Sequence, residues 1–190
     1  MTILDAAGAV RRARRLPQSV VAARSGEAVP NLSSIENGRR TPGADKLDRI
    51  LRASDARLVV APTTRVGALE TSTEIRYALR ADDSRRAFRA WLAYGDALAA
   101  ENVVNRVVLA AFPPEPTGSA IFDAALASLT ELRLHEVKGP VPEWASDAPA
   151  LNDEAVLADS PYVRSVDPAS VPDEFRRRGV LIPRETLESV

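Results

Sequence analysis

Residues 18–42 read QSVVAARSGEAVPNLSSIENGRRTP, and this stretch decides how the rest of the chain is understood. It predicts two short helices joined by a tight turn. The first covers Gln18 to Arg24, with Val20 and Val21 as its apolar residues. Ser25-Gly26-Glu27 is the turn, and glycine supplies the positive φ that a sharp reversal needs. The second helix runs from about Val29 to Asn37, with Leu32 and Ile35 three apart on one face. Gly38 stops it, Arg39 and Arg40 follow, and Pro42 lies just beyond. Two short helices joined by a few residues make a helix-turn-helix, whose second helix enters the major groove of DNA.

Residues from Val10 to about Val60 resemble the phage-repressor-like (XRE, Cro/C1-type) helix-turn-helix family. The resemblance is carried, without a gap, by Gln18, Gly26, Leu32-Ser33, Ile35-Glu36, Gly38-Arg39-Arg40 and Pro42. It implies duplex DNA as partner. It implies Gln18 and the Arg39–Arg40 pair on phosphates, and Val29, Pro30, Asn31, Ser33 and Ser34 along the reading helix. It further implies that Arg11 pairs with Glu36 and locks two helices, against the alternative of a solvated charge.

The sequence departs from the family pattern in places. Pro17 stands where a Ser or Thr cap is usual, so the helix can start but without a side-chain cap. Ser25 replaces an aliphatic residue, which makes the small core less apolar. Among the reading positions only Asn31 can make a bidentate contact, to adenine, while Val29 or Pro30 can touch a thymine methyl. Direct readout is therefore expected to be modest, with DNA shape contributing. A single head buries little surface, so a homodimer on two half-sites is expected.

The charge distribution agrees with this division. Net charge is −1, but residues 1–60 hold 11 Lys/Arg and 6 Asp/Glu, a net of +5. The remaining residues hold 14 and 20, a net of −6. A basic head on an acidic body fits a DNA-binding module joined to something else. The chain has no cysteine, which excludes disulfides and thiolate chemistry and is compatible with the cytoplasm, beside the bacterial nucleoid. No signal peptide or membrane span is expected.

Outside the head, the reading is all-α or mostly α. The helix before the motif runs from Asp5 to Arg15, and the one after it from Ala44 to Ala53, with Leu47, Ile50 and Leu51 inward. The head is expected over residues 1–62, with Leu58 to Pro62 a short extended run, and a linker over 63–71. A helical body covers 72–138. Its helices are expected at Thr73 to Arg80, Asp83 to Glu101 and, capped by Thr117, on to about Glu136. In the last of these Phe122, Leu126, Leu129 and Leu132 form one apolar side. Val103 to Phe112 fits a helix face or a buried strand. Residues 139–190 are Pro-rich and read as an irregular arm held by spaced anchors, either binding a partner or packed on the body. Trp144, Tyr162, Phe175, Val180, Leu181 and Ile182 are its candidate partner-binding residues. The Arg176–Arg178 run is read as a solvated helix end.

No catalytic or metal constellation emerges. His135 is the only histidine and sits at a helix end. The adjacent pairs Asp82-Asp83 and Asp153-Glu154 point different ways, and no phosphate loop, HExxH or GxSxG is present. No cofactor and no enzymatic activity are expected. The closing FRRRGVLIPRETL resembles, loosely, the tail of bacterial regulators that accompany nucleotidyltransferase-type toxins. The expected function is a sequence-specific DNA-binding regulator, an antitoxin that represses its own operon and neutralises a cognate toxin. The alternative is a ligand- or stress-sensing repressor with a regulatory C-terminal domain.

Overall fold

The computed structural model describes residues 7–8, 10–12, 14–58, 60–158 and 165–188. The chain divides into two compact units, Met1–Val60 and Ala61–Val190, each with its own core. The architecture is mostly helical, with one two-stranded sheet among the described residues.

In the first unit, residues 7–8 and 10–12 are helical and precede three helices: α1 (Gln18–Ser25), α2 (Val29–Glu36) and α3 (Ala44–Ala53). α1 starts directly after Pro17, whose fixed φ of −62° suits the entry and which provides no side-chain cap. Gly26 closes α1 with φ 71°, and its N–H returns to Ala22 O. Ser25 is buried, but its hydroxyl donates to Val21 O at 2.7 Å, so the departure from an aliphatic residue leaves no unpaired donor. Pro30 sits in the first turn of α2, where no N–H is lost from the ladder. The helix ends at Glu36, one residue before the expected end, and Gly38 turns the chain away with φ 68°, while the Asn37 side-chain amide donates to Ser33 O at 2.8 Å. Val21, Ala22, Leu32, Ile35, Ile50 and Ala53 close the core between the three helices. The extended run expected at Leu58 to Pro62 forms no strand among its described residues, and Val60 is 89% exposed.

The second unit contains α4 (Ala68–Arg80), α5 (Ser84–Ala99), α6 (Val103–Ala110), α7 (Ala120–His135) and α8 (Glu143–Ser146). After these come β1 (Ala155–Val156), a 3₁₀ turn (Pro168–Ser170), α9 (Asp173–Arg176), β2 (Val180–Leu181) and α10 (Arg184–Leu187). β1 and β2 are parallel, with Ala155 opposite Val180 and Val156 opposite Leu181.

Several expectations are corrected here. The linker over 63–71 is helical from Ala68, because Glu70 accepts the Gly67 N–H at 3.1 Å and Ala68 is fully buried. Gly67 allows a close approach that no side chain permits: a Cβ there would lie 2.5 Å from Leu109 O. Residues 103–110 are helix rather than strand. Asn102 decides this by accepting the N–H groups of Val104 and Asn105 at 3.0 and 3.1 Å. Thr117 does not cap α7. It is held before the helix, where its N–H donates to Asp123 Oδ1 at 2.8 Å.

For residues 139–190, the described part is packed on the body, the second of the two expected alternatives. Every residue from Ala124 to Leu134 of α7 is buried, not one stripe. Such a helix is the centre of a unit. α5 packs on it, and so do α8, α9 and β2 from the Pro-rich segment. Leu157, Val171, Phe175, Val180, Ile182 and Leu187 join Trp91, Leu126 and Leu129 in one core. The Phe175 ring stands edge-on to Trp91, with centroids 6.0 Å apart. Phe175, Val180 and Ile182 are fully buried and so are not partner-binding residues. Leu181 and Trp144 are partly buried against the same core. Trp144 is pinned by its indole N–H, which donates to Ala110 O at 2.8 Å. Tyr162 lies outside the described residues.

Many polar groups inside this unit are paired, while Trp91 Nε1, Arg133 Nε and Arg178 Nε are buried without a hydrogen-bond partner among the described residues. Thr130 Oγ1 donates to Leu126 O at 2.8 Å and meets Tyr94 Oη at 2.9 Å. Burial pushes the Tyr94 phenol above its ordinary value of 10.0, so it stays neutral. Arg106 donates to Ala99 O and Arg133 O at 2.8 and 2.7 Å, which caps the C-terminal ends of α5 and α7. Arg178 is also not a solvated helix end: it is 2% exposed and donates to buried Glu131 at 2.8 Å. Arg177 reaches the same carboxylate from the surface. His135 is half exposed at the end of α7, with Nδ1 3.0 Å from Glu174 Oε1.

Candidate nucleic-acid interface

Burial of Leu32, Ile35 and Glu36 fixes the rotation of α2. That rotation leaves Val29 and Pro30 exposed at its start and Asn31, Ser33 and Ser34 partly exposed along it. Arg39 and Arg40 are exposed just past its end. The five reading-helix positions and the Arg pair therefore share one solvent-facing region.

The side chains are already partly organised. Arg40 Nη1 approaches Asn31 Oδ1 at 3.4 Å, a long contact that biases the amide to present its Nδ2 outward. Ser34 Oγ donates to Pro30 O at 2.9 Å, which leaves the hydroxyl oxygen as an outward acceptor. Ser33 Oγ takes a contact from Asn37 Nδ2 at 3.3 Å and keeps its own proton to donate. Only the Arg40–Asn31 contact lacked any sequence signal, because it joins side chains across the end of the helix.

Behind this face lies a polar lock. Arg11 donates to Glu36 twice, Nε to Oε1 at 2.6 Å and Nη2 to Oε2 at 2.9 Å. Its Nη1 donates to Leu16 O at 2.8 Å. Gln18 Nε2 adds a third donor, to Glu36 Oε2 at 2.8 Å. Gln18 thus ties the start of α1 to α2 through one N–H of its amide. On the far side, Lys46 pairs with Glu27 at 2.8 Å and joins α3 to the turn.

Burial pushes the Glu36 carboxyl up, but hydrogen bonds from Arg11 and Gln18 outweigh it and hold the group below its ordinary 4.5. A carboxyl lowered in the folded state contributes stability above its unfolded value and loses it as pH falls through the folded one. The head should therefore lose stability as pH drops below about 4.5 and through that lowered value. Glu36→Gln should flatten the acid limb of a circular-dichroism titration. Glu27 and Asp48, lowered by Lys46 and Arg52, keep the remainder. An unchanged acid limb in Glu36→Gln would remove the lock from the stability of the head.

A buried ion pair that orients a short exposed helix, with arginines at the helix end, defines a helix-turn-helix DNA-binding domain. Residues 9–54 match the family model described as Helix-turn-helix, of the XRE (Cro/C1) type. The protein is a DNA-binding transcription regulator, with this domain at its N-terminal end. No curated protein and no solved structure matches the chain. Among the described residues, no helix is long and apolar enough to cross a membrane.

Two substitutions separate positioning from reading. Changing Arg39 and Arg40 to Ala should weaken binding to all duplexes alike, with the salt slope falling by about 0.9 per lost phosphate contact. Fluorescence anisotropy across a salt series measures it, and an unchanged slope rejects the placement. Asn31→Ala should cost about 1–3 kcal/mol on the specific operator and little on random DNA. Equal losses on both would make Asn31 a positioning residue.

Proposed function

We propose that the protein represses the operon that encodes it, as a homodimer on two half-sites, and is the antitoxin of a toxin–antitoxin pair. On this reading it acts by binding alone, and residues 61–190 hold the cognate toxin. The observation that carries the second half is on α6. Val103, Val104 and Val108 are 40%, 65% and 38% exposed there, and Phe112 just beyond is 45% exposed. Large apolar side chains grouped on one element are a docking signal. This surface replaces the anchors Trp144, Phe175, Val180, Leu181 and Ile182, whose side chains the unit uses itself. The loose likeness of Phe175–Leu187 to toxin-linked regulators supports the same reading.

The test is co-expression of the full chain with the product of the neighbouring reading frame. Co-purification, relief of growth arrest, and loss of both in Val104→Asp/Val108→Asp with operator binding retained would support the antitoxin. A neighbouring product that neither arrests growth nor binds the chain rejects it. A second reading, a repressor that senses a small molecule, is favoured by one observation. A pocket of about 410 Å³ opens beside α7, within the size range of ligand sites.

A further inference from the structure

We propose that this pocket binds a hydrophobic organic cation, an aromatic or bulky apolar body carrying one delocalised or quaternary positive charge. The proposal deepens the sensing reading by naming the ligand class, but the binding it claims is measured without DNA.

The argument starts from the floor. Ala120, Ala124 and Ala127 recur at four and three along one face of α7, next to the buried Phe122, Leu126 and Leu129. Small side chains on that face leave space that the larger neighbours fill elsewhere. The walls are residues 113–116 and 148–152, which carry Pro113, Pro114, Pro116 and Pro149. Proline has no N–H to offer and little freedom to collapse, so the walls are stiff and poor in donors. Trp144 lines the same space. Its ring is held by the bond from Nε1 to Ala110 O at 2.8 Å. A fixed indole is the best side-chain platform for a cation.

Charge decides the sign of the ligand. The ionisable residues lining the pocket are Glu115 and Asp123, with no Lys, Arg or His among them. Glu115 is committed to Arg76, at 2.8 Å. Asp123 Oδ1 accepts the Thr117 N–H at 2.8 Å, a bond that anchors the carboxylate at the wall without neutralising it. An anionic ligand would meet a carboxylate and no lining cation. A cation would gain both Asp123 and the Trp144 face.

The test uses the full-length protein and two probes of nearly equal shape and opposite charge, tetraphenylphosphonium and tetraphenylborate. The chain has two tryptophans, and Trp91 is fully buried in the core, so a ligand in the pocket reports through Trp144. Tetraphenylphosphonium should quench that fluorescence saturably and bind at least about tenfold more tightly than tetraphenylborate. Trp144→Phe should abolish the quench, and calorimetry should show the affinity reduced. Asp123→Asn keeps an oxygen for the Thr117 N–H, so the fold is retained, and it should weaken the cation about tenfold while sparing the anion. Equal affinity for the two probes, a quench that survives Trp144→Phe, or an indifferent Asp123→Asn each overturns the proposal. If the cation binds as described and operator affinity does not change, the site stands and the sensing reading fails.

Discussion

Replacing Val180, Leu181 and Ile182 together with serine unfolds residues 61–190 and leaves the head folded. Val180 and Ile182 are fully buried beside Phe175 and Leu187, and Leu181 packs on the same core from β2. Each fully buried aliphatic side chain contributes about 1.5–3 kcal/mol. The serines also bury hydroxyls with no partner in an apolar core, at about 1–3 kcal/mol each. Those losses together approach the whole stability of an ordinary domain, about 5–15 kcal/mol. Circular dichroism should lose the second unit's helical signal, while the head, which shares none of this core, still shifts duplex DNA. A full-length variant with unchanged melting and a lost protein partner would return these residues to a docking surface. Fragments made for the comparison belong at the junction of Val60 and Ala61. A cut near Thr71 would remove the Gly67–Glu70 start of α4 and the buried Ala68.

Glu131→Leu should have the next largest effect. The carboxylate is 4% exposed in α7 and receives Arg178, itself 2% exposed. Arg178 also donates to Glu174 O at 3.0 Å and to Ser146 O at 3.3 Å, so it joins α9 and α8 to the central helix. Removing the carboxylate leaves a guanidinium buried without its charge partner, at about 3–5 kcal/mol. Arg178→Met in the same chain should recover much of the loss, because two apolar side chains can replace a buried pair. Arg177→Ala, which removes only a half-exposed partner, should cost about 0–1 kcal/mol. Urea unfolding of the wild type, Glu131→Leu, Arg178→Met and their double variant measures the cycle. Additive losses in the double variant would show that Glu131 and Arg178 do not act as a pair.

The head was legible because its signals are local. Gly26 and Gly38 mark the two stops, Leu32 and Ile35 mark the buried face of α2, and Arg11 and Glu36 lie at matching family positions. The bond from Gln18 to Glu36 was not legible, since it depends on where Glu36 stands in the folded head. The pocket was invisible for a related reason. Ala120, Ala124 and Ala127 carry no chemistry of their own, and only the walls built from residues 113–116 and 148–152 make a space above them.

The second unit shows where local reading stops. α7 carries Ala, Ser and Thr between its leucines, so its pattern suggested one apolar side and one wet side. On the side read as wet, Glu131 is met by Arg177 and Arg178 more than forty residues downstream and Thr130 by Tyr94 of α5, and hydroxyl side chains fit there because Ser128 and Thr130 bond their own helix. A run of three aliphatic residues in a Pro-rich segment has no period to recognise, so Val180 and Ile182 could be read as free anchors. By itself the sequence determined the helical class, the basic head with its two-helix motif, and the acidic character of the rest. Those follow from short-range spacing, glycine stops and charge counts. Only the tertiary structure decided that the Pro-rich segment belongs to the core, that Arg178 is an interior cation, and that Val103, Val104 and Val108 of α6 stay exposed. Burial is a property of what packs against a residue, and that partner lies far away in the chain.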